Sequence, residues 1–201
     1  MSKGTVKHVF PGGNTSYGFH SFYDYIIPPN ATRIFVIKGG PGAEKSIFMK
    51  KIADTMITMN YDVEFHHCSS DPESLDGLVL PDLQIALIDG NSPHIVDPKN
   101  PGCVDEIINL GECWNTHRMV QMKKEIMDCN KKISQSFQRA YRMLKSAKMI
   151  YDDWKAANMD AMDYSLANKK TASVLNNIFA GLDTIGAGKI RKLFASAVTP
   201  K

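Results

Sequence analysis

Residues 33–50, RIFVIKGGPGAEKSIFMK, constrain the fold of this chain more than any other stretch. Ile34-Phe35-Val36-Ile37 is an unbroken apolar run, the pattern of a strand buried on both faces. Gly39-Gly40-Pro41-Gly42 interrupts it and sets a turn. Lys45 and Ser46 then open a segment whose apolar positions, Ile47, Phe48, Ile52, Met56 and Met59, recur at three- and four-residue steps, so a helix over about 45–59 is expected. Strand, glycine loop, Lys-Ser and helix together are the context of a phosphate-binding P-loop, whose usual pattern is G-x-x-x-x-G-K-[ST]. Gly39 fills the first glycine position, but Glu44 stands in the second.

Position 44 sets the functional question. Loop amides and a helix N-terminus attract phosphate. A carboxylate ~5 Å from a phosphate charge, at an effective dielectric of about 20, opposes that by roughly 3 kcal/mol, or about two decades of affinity. Two alternatives stay open from sequence. Glu44 swings outward, as suits an acidic residue in a first helical turn, or it pairs with Lys45 and withdraws the lysine.

A second informative stretch is PDLQIALIDG, residues 81–90. Ile85-Ala86-Leu87-Ile88 runs into Asp89, and a buried strand ending in aspartate has the form of a Walker B element, whose carboxylate holds Mg²⁺ beside the P-loop hydroxyl. Asn60 is the expected helix stop, followed by a strand over residues 61–65. His66-His67-Cys68-Ser69-Ser70-Asp71-Pro72 comes next, at the carboxyl end of that strand, where ligands bind in open α/β sheets. It reads equally as a functional loop and as a solvated turn, with residues 74–78 packing locally. His67, Asp71 and His94 are accessory candidates; a histidine such as His94 more often serves as a loop hydrogen-bonder.

The rest of the chain supplies organisation. Residues 1–32 carry a strong turn, Pro11-Gly12-Gly13-Asn14, and a strand over 6–10 expected to pair near 19–25. The rings of Tyr17, Phe19, Phe22, Tyr23 and Tyr25 are read mainly as cover for one end of the sheet rather than a base-stacking platform. Pro93, Pro98 and Pro101 mark a loop-rich region, with a short helix expected around 104–110. From about Arg118 to Ala157 there is no glycine or proline, and apolar or small residues recur from Met119 to Trp154 with a stutter through Cys129, Ile133 and Phe137. At 1.5 Å per residue the seam from Met119 to Trp154 makes a helix of roughly 50 Å. A second helix over about 159–182, after a turn near 156–158, suggests an antiparallel hairpin arm. Gly186-Ala187-Gly188 separates the arm from residues 192–199, read as a last sheet strand before Thr199-Pro200-Lys201. These features predict an α/β fold: a parallel P-loop NTPase-type sheet flanked by helices, with the hairpin as an arm. The expected division is a single domain over 1–201, with an aromatic N-terminal segment (1–32), a core (33–117), the hairpin (118–184) and a return to the core (185–201).

Composition limits the alternatives. The 201 residues suit one domain, and 43% hydrophobic with 22% charged residues is an ordinary globular balance. A net charge of +3 is too small to argue for nucleic acid, and the basic residues of the arm alternate with Glu125, Asp128, Asp152 and Asp153 as on a solvated helix face. Cys68, Cys103, Cys113 and Cys129 form no C-x-x-C pair, so reduced thiols in a cytoplasmic protein are expected. No membrane span or signal peptide is read.

The stretches FPGGNTSYGFHSFYDYI, IFVIKGGPG with KS, YDVEFHHCSSDPESLDG, IALIDGNSPHIVDP, VDEIINLGECW, RAYRMLKSAK and LFASAVTPK resemble the tandem P-loop ATPases of spore-forming bacteria. They span nearly the whole chain, and as a set they are specific. Family members usually carry a loop like GGPGTGKS, so Ala43 and Glu44 depart from it. They hold two P-loop halves in one longer chain, and this sequence resembles the first. The resemblance implies ATP binding with Mg²⁺ and slow hydrolysis. It implies a nucleotide-binding loop of Gly39, Gly40, Pro41, Gly42, Ala43, Glu44, Lys45 and Ser46, with Ile47 following. Lys45 would contact the β- and γ-phosphates, and Ser46 and Asp89 the Mg²⁺. Two further classes stay open: a small-molecule or nucleotide kinase with the arm as lid, and a non-catalytic module that pairs as a homodimer or with a second P-loop half.

Overall fold

The computed structural model describes residues 4–91, 94–181, 186, 188 and 190–200. Six strands make the main sheet: β1 (Val6–Val9), β4 (Arg33–Lys38), β5 (Val63–His67), β6 (Leu75–Leu80), β7 (Ile85–Asp89) and β8 (Asp105–Asn109). Their order is β1-β5-β6-β7-β4-β8. β6 runs antiparallel to both neighbours, and every other pairing is parallel. This is an α/β fold with a mostly parallel sheet. A separate two-stranded hairpin joins β2 (Gly12–Thr15) to β3 (Gly18–Ser21).

The central strands are apolar on both faces because both faces are covered. Ile34, Val36, Ala86, Ile88 and Val79 pack on one side with Ile26, Ile27 and Ala31. Ile37, Leu87, Leu78 and Leu80 pack on the other with Met49 and Ala53 of α1 (Lys45–Thr58). The period-two alternation thus splits one apolar run between two cores. Asn60, at φ 68°, ends α1 in the left-handed conformation, as expected.

Several expectations are corrected. Residues 61–65 form a strand two positions later, so His66 and His67 belong to β5 rather than to the loop after it. Residues 74–78, for which local packing beside a solvated turn was one of two readings, fall largely within the buried inverted strand β6, Leu75–Leu80. Residues 104–110 are not a helix: Asp105–Asn109 pair with β4, because that strand's outer edge needs hydrogen-bond partners, and only Leu110–Cys113 form a turn of 3₁₀ helix. Val6–Val9 pair with β5, while Gly18–Ser21 pair with Gly12–Thr15. Residues 192–199 contribute no strand, only a single antiparallel bridge between Phe194 and Phe10.

The helical region is also rearranged. α2 (Thr116–Gln121) ends at Met122, and α3 (Lys123–Asp160) runs for 38 residues, roughly 57 Å. The break falls at 161–163, where the Asp163 side chain accepts from the Leu166 amide at 2.9 Å and caps α4 (Tyr164–Phe179). The expected antiparallel seam is open among the described residues: Trp154 is 64% exposed on α3 and Ile178 62% on α4. α3 touches the body instead through Phe137, Leu144 and Tyr141, whose hydroxyl donates to Asn14 Oδ1 at 3.0 Å. Expectations at Pro93, Leu182, Ala187 and Lys201 lie outside the described residues.

Candidate functional site

All parallel strands end at one edge of the sheet, and the glycine loop leaves β4 there. Gly39 (φ 144°) and Gly42 (φ 81°) take backbone angles that side chains avoid. Gly40 lies under Trp114, whose Cη2 would sit 2.8 Å from an added Cβ. Glu44 completes the turn at φ 54°, ψ 29°, left-handed, with no side-chain bond capping α1. The left-handed angle explains why the usual pattern has glycine here, and a non-glycine residue at that angle costs roughly 1–2 kcal/mol. Its side chain is exposed at the rim of the cavity.

Lys45 does not pair with Glu44. Its Nζ donates to the carbonyls of Gly39 at 2.7 Å and Gly40 at 3.1 Å, and lies 3.5 Å from Asp89 Oδ2. β4 and β7 are adjacent, with Ile37 opposite Asp89, which brings the two charges together. Ser46 Oγ accepts from the Leu75 amide at 3.0 Å. Asn91 ties the arrangement together: its Nδ2 donates to Asp89 Oδ1 at 2.8 Å and Ile37 O at 3.2 Å, while its Oδ1 accepts from the Gly39 amide at 3.1 Å.

These groups line a cavity of about 420 Å³ with Pro41, Gly42, Glu44, Asp71, His94 and Phe137. Asp71 accepts from Ser74 Oγ at 2.6 Å. The His94 ring stacks on Phe19 at 3.5 Å, and burial pushes its pKa down to about 4, against a smaller opposing pull from Asp89. It is therefore neutral at pH 7. His67 is absent from the lining. It bonds His8 at 2.8 Å and the Pro72 carbonyl at 2.8 Å, so it joins the outer strands rather than serving the site. Ile47, 48% exposed, is also absent from the lining. Gly39 and Ala43 shape the loop without lining this cavity, and Gly40 lines a neighbouring one.

Sequence reasoning missed Asn91 and Asp76. Asp76 is 7% exposed at the start of β6, and its Oδ2 is buried with no hydrogen-bond partner. Burial raises its pKa to about 6, with Asp89 adding repulsion, while the facing Tyr23 hydroxyl, Cys68 thiol and Lys45 ammonium pull the other way. Burial likewise pushes the Cys68 thiol up to about 12. A carboxylate opening an apolar run, Leu75-Asp76-Gly77-Leu78-Val79-Leu80, was the available signal.

A cluster behind the site fastens the outer strands. Arg191 reaches Glu64 with Nη1 at 2.9 Å and Nη2 at 2.7 Å, and donates to the Tyr25 and Ile26 carbonyls. Burial alone would raise the Glu64 carboxyl, but donors on His66 and Arg191 hold it far below the carboxylate range. His66 is fully buried and kept neutral by desolvation, although Glu64 lies 3.5 Å away.

Comparisons with family models, with curated proteins and with solved structures find no match to this chain. Among the described residues no helix is long and apolar enough to cross a membrane.

Proposed function

We propose that this chain binds ATP with Mg²⁺ at the glycine loop and is a P-loop NTPase-like ATPase weakened by Glu44, similar to the first half of the tandem P-loop ATPases. The observation that carries the reading is the convergence of Lys45 and Asp89 at 3.5 Å, on a left-handed loop between adjacent parallel strand ends. In this reading Lys45 exchanges the Gly39 and Gly40 carbonyls for phosphate oxygens, and the first-turn amides of α1, which have no helical partner, face the same anion. The donor set suits a hard cation: among the described residues the one ion-pair partner of Asp89 Oδ2 is Lys45, and Ser46 offers a hydroxyl oxygen. Mg²⁺ bound there would supply neutralisation of phosphate charge. Asn91 fixes the Asp89 carboxylate, and neutral His94 offers a hydrogen bond without adding charge.

Calorimetric titration of MgATP into the parent and into Glu44→Gly tests the reading. Weak binding by the parent and about a hundredfold tighter binding by the variant is expected. Binding by neither sinks it. Tight parental binding unchanged by the reversion shows that Glu44 is immaterial.

One observation favours a kinase as the second reading. A cavity of about 620 Å³ adjoins the first, sharing Pro41, Ser70, Asn91, His94 and Phe137 and walled by α3. It has room for a small acceptor beside the phosphate loop, with α3 in the place of a lid. That reading expects phosphate transfer to a hydroxyl-bearing molecule, and an acceptor screen that yields only free phosphate counts against it.

A further inference from the structure

The inverted strand β6 brings a second carboxylate to the phosphate loop. Its register with β7 pairs Gly77 with Ile88, so Asp76 and Asp89 are the next cross-strand positions at the same sheet edge. Both line one cavity with Lys45 and Ser46. Leu75, next to Asp76 in the chain, donates its amide to Ser46 Oγ and ties that hydroxyl to the same strand. Asp76 lines the cavity at 7% exposure, and its buried Oδ2 has no hydrogen-bond partner. A buried acceptor left unmade is costly, and the one ammonium nearby is already divided between two carbonyls and Asp89.

We propose that Asp76, Asp89 and Ser46 together form a divalent-cation site, with Asp76 a direct or water-bridged ligand, and that this site loads without nucleotide. One or two carboxylates, a hydroxyl and several waters are the usual protein share of a Mg²⁺ shell. A cation removes the repulsion between the buried Asp76 carboxylate and its half-buried neighbour Asp89, and gives the idle Oδ2 a partner. This deepens the nucleotide reading at the same site but does not require nucleotide to bind. It also assigns β6 a purpose: reversing one strand places a carboxylate from its amino end where the parallel strands present their carboxyl ends.

Mn²⁺ alone is the probe, followed by loss of the free-ion electron paramagnetic resonance signal, with no ATP present. The parent is expected to take up one ion per chain, and Asp76→Asn to bind roughly 10- to 100-fold more weakly, with circular dichroism confirming that the variant is folded. A second measurement needs no mutation. In the parent, Mn²⁺ should broaden the side-chain carboxyl ¹³C resonances of Asp76 and Asp89 together, and leave exposed Asp82 at the far edge sharp. No uptake by the parent overturns the proposal, as does equal uptake by Asp76→Asn or broadening of Asp89 without Asp76. The two readings fail separately: MgATP binding without Mn²⁺ uptake removes only the cation site, and Mn²⁺ uptake without MgATP binding removes only the nucleotide reading.

Discussion

Two separate penalties fall on position 44. One is backbone: a non-glycine residue is held at φ 54°. The other is charge, at the rim of the cavity proposed to take phosphate. Glu44→Gly relieves both, but glycine also loosens the unfolded chain by about 0.4–1 kcal/mol. Its net stability gain is therefore expected to be about 1 kcal/mol or less, much smaller than its effect on MgATP binding, and urea unfolding beside the calorimetry separates the two. Asp76 presents the opposite trade. Burial holds its pKa near 6, above the unfolded value of 3.8, so its favourable share of stability is complete below pH 3.8 and gone above about 6. Asp76→Asn should raise the metal-free protein's stability at pH 7 by about 1–2 kcal/mol, read as a higher unfolding midpoint. A midpoint at or below the parent's would mean that the carboxylate is not strained there. At this scale Lys45, Ser46 and Asp89 were legible in sequence because motif spacing encodes them. Asn91 and Asp76 were not, because their partners come from other strands.

At the scale of elements, Arg191 acts as a rivet. It joins the segment after α4 to Glu64 on β5 and to the backbone of residues 25 and 26. Arg191→Ala leaves a nearly buried carboxylate short of its main partner and should cost roughly 2–3 kcal/mol, less than a fully buried pair because the arginine is partly exposed. The depressed Glu64 carboxyl makes that contribution pH-dependent. It is present above the unfolded pKa of 4.5 and is lost as pH falls toward the folded one. The gap between parent and variant should therefore narrow in acid, which urea titrations at pH 7 and pH 3 would reveal. The distal half of α3 behaves differently. Tyr151 is 55% and Trp154 64% exposed, so Trp154→Ala should change global stability by within about 0.5 kcal/mol, and amides beyond residue 150 should exchange well before those of β4 and β7. Full protection there would point to cover supplied from outside the chain. The helices were readable from apolar periodicity and the absence of glycine and proline. Their breaks at Met122 and 161–163 were not, since periodicity does not show where a helix ends.

For the whole molecule, the site lies where one sheet edge meets the β2–β3 hairpin and α3, so its ionisation is coupled to global stability. His94, lowered from 6.5 to about 4 by burial, contributes stability that is whole above pH 6.5 and is lost as pH falls toward 4. Asp76 works in the other direction over part of that range. Thermal midpoints of the parent should thus fall only gently between pH 6.5 and 4, while those of Asp76→Asn, lacking the compensating carboxyl, should fall more steeply, a difference equivalent to about 1–2 kcal/mol of stability. Parallel curves would refute the compensation. The sequence by itself determined the strand, loop and helix around residue 39, the Asp89 strand, α1 and its stop at Asn60, and the helical character of residues 123–179. Each is a local pattern: an apolar period, a glycine turn or a cap. Only the tertiary structure decided that Leu75–Leu80 is an inverted central strand, that Asp105–Asn109 pairs with β4 instead of coiling, that His67 joins the outer strands instead of lining the cavity, and that position 44 is left-handed. Strand pairing joins residues far apart in sequence, and a backbone angle is imposed by both ends of a loop at once. No short window of sequence holds either one.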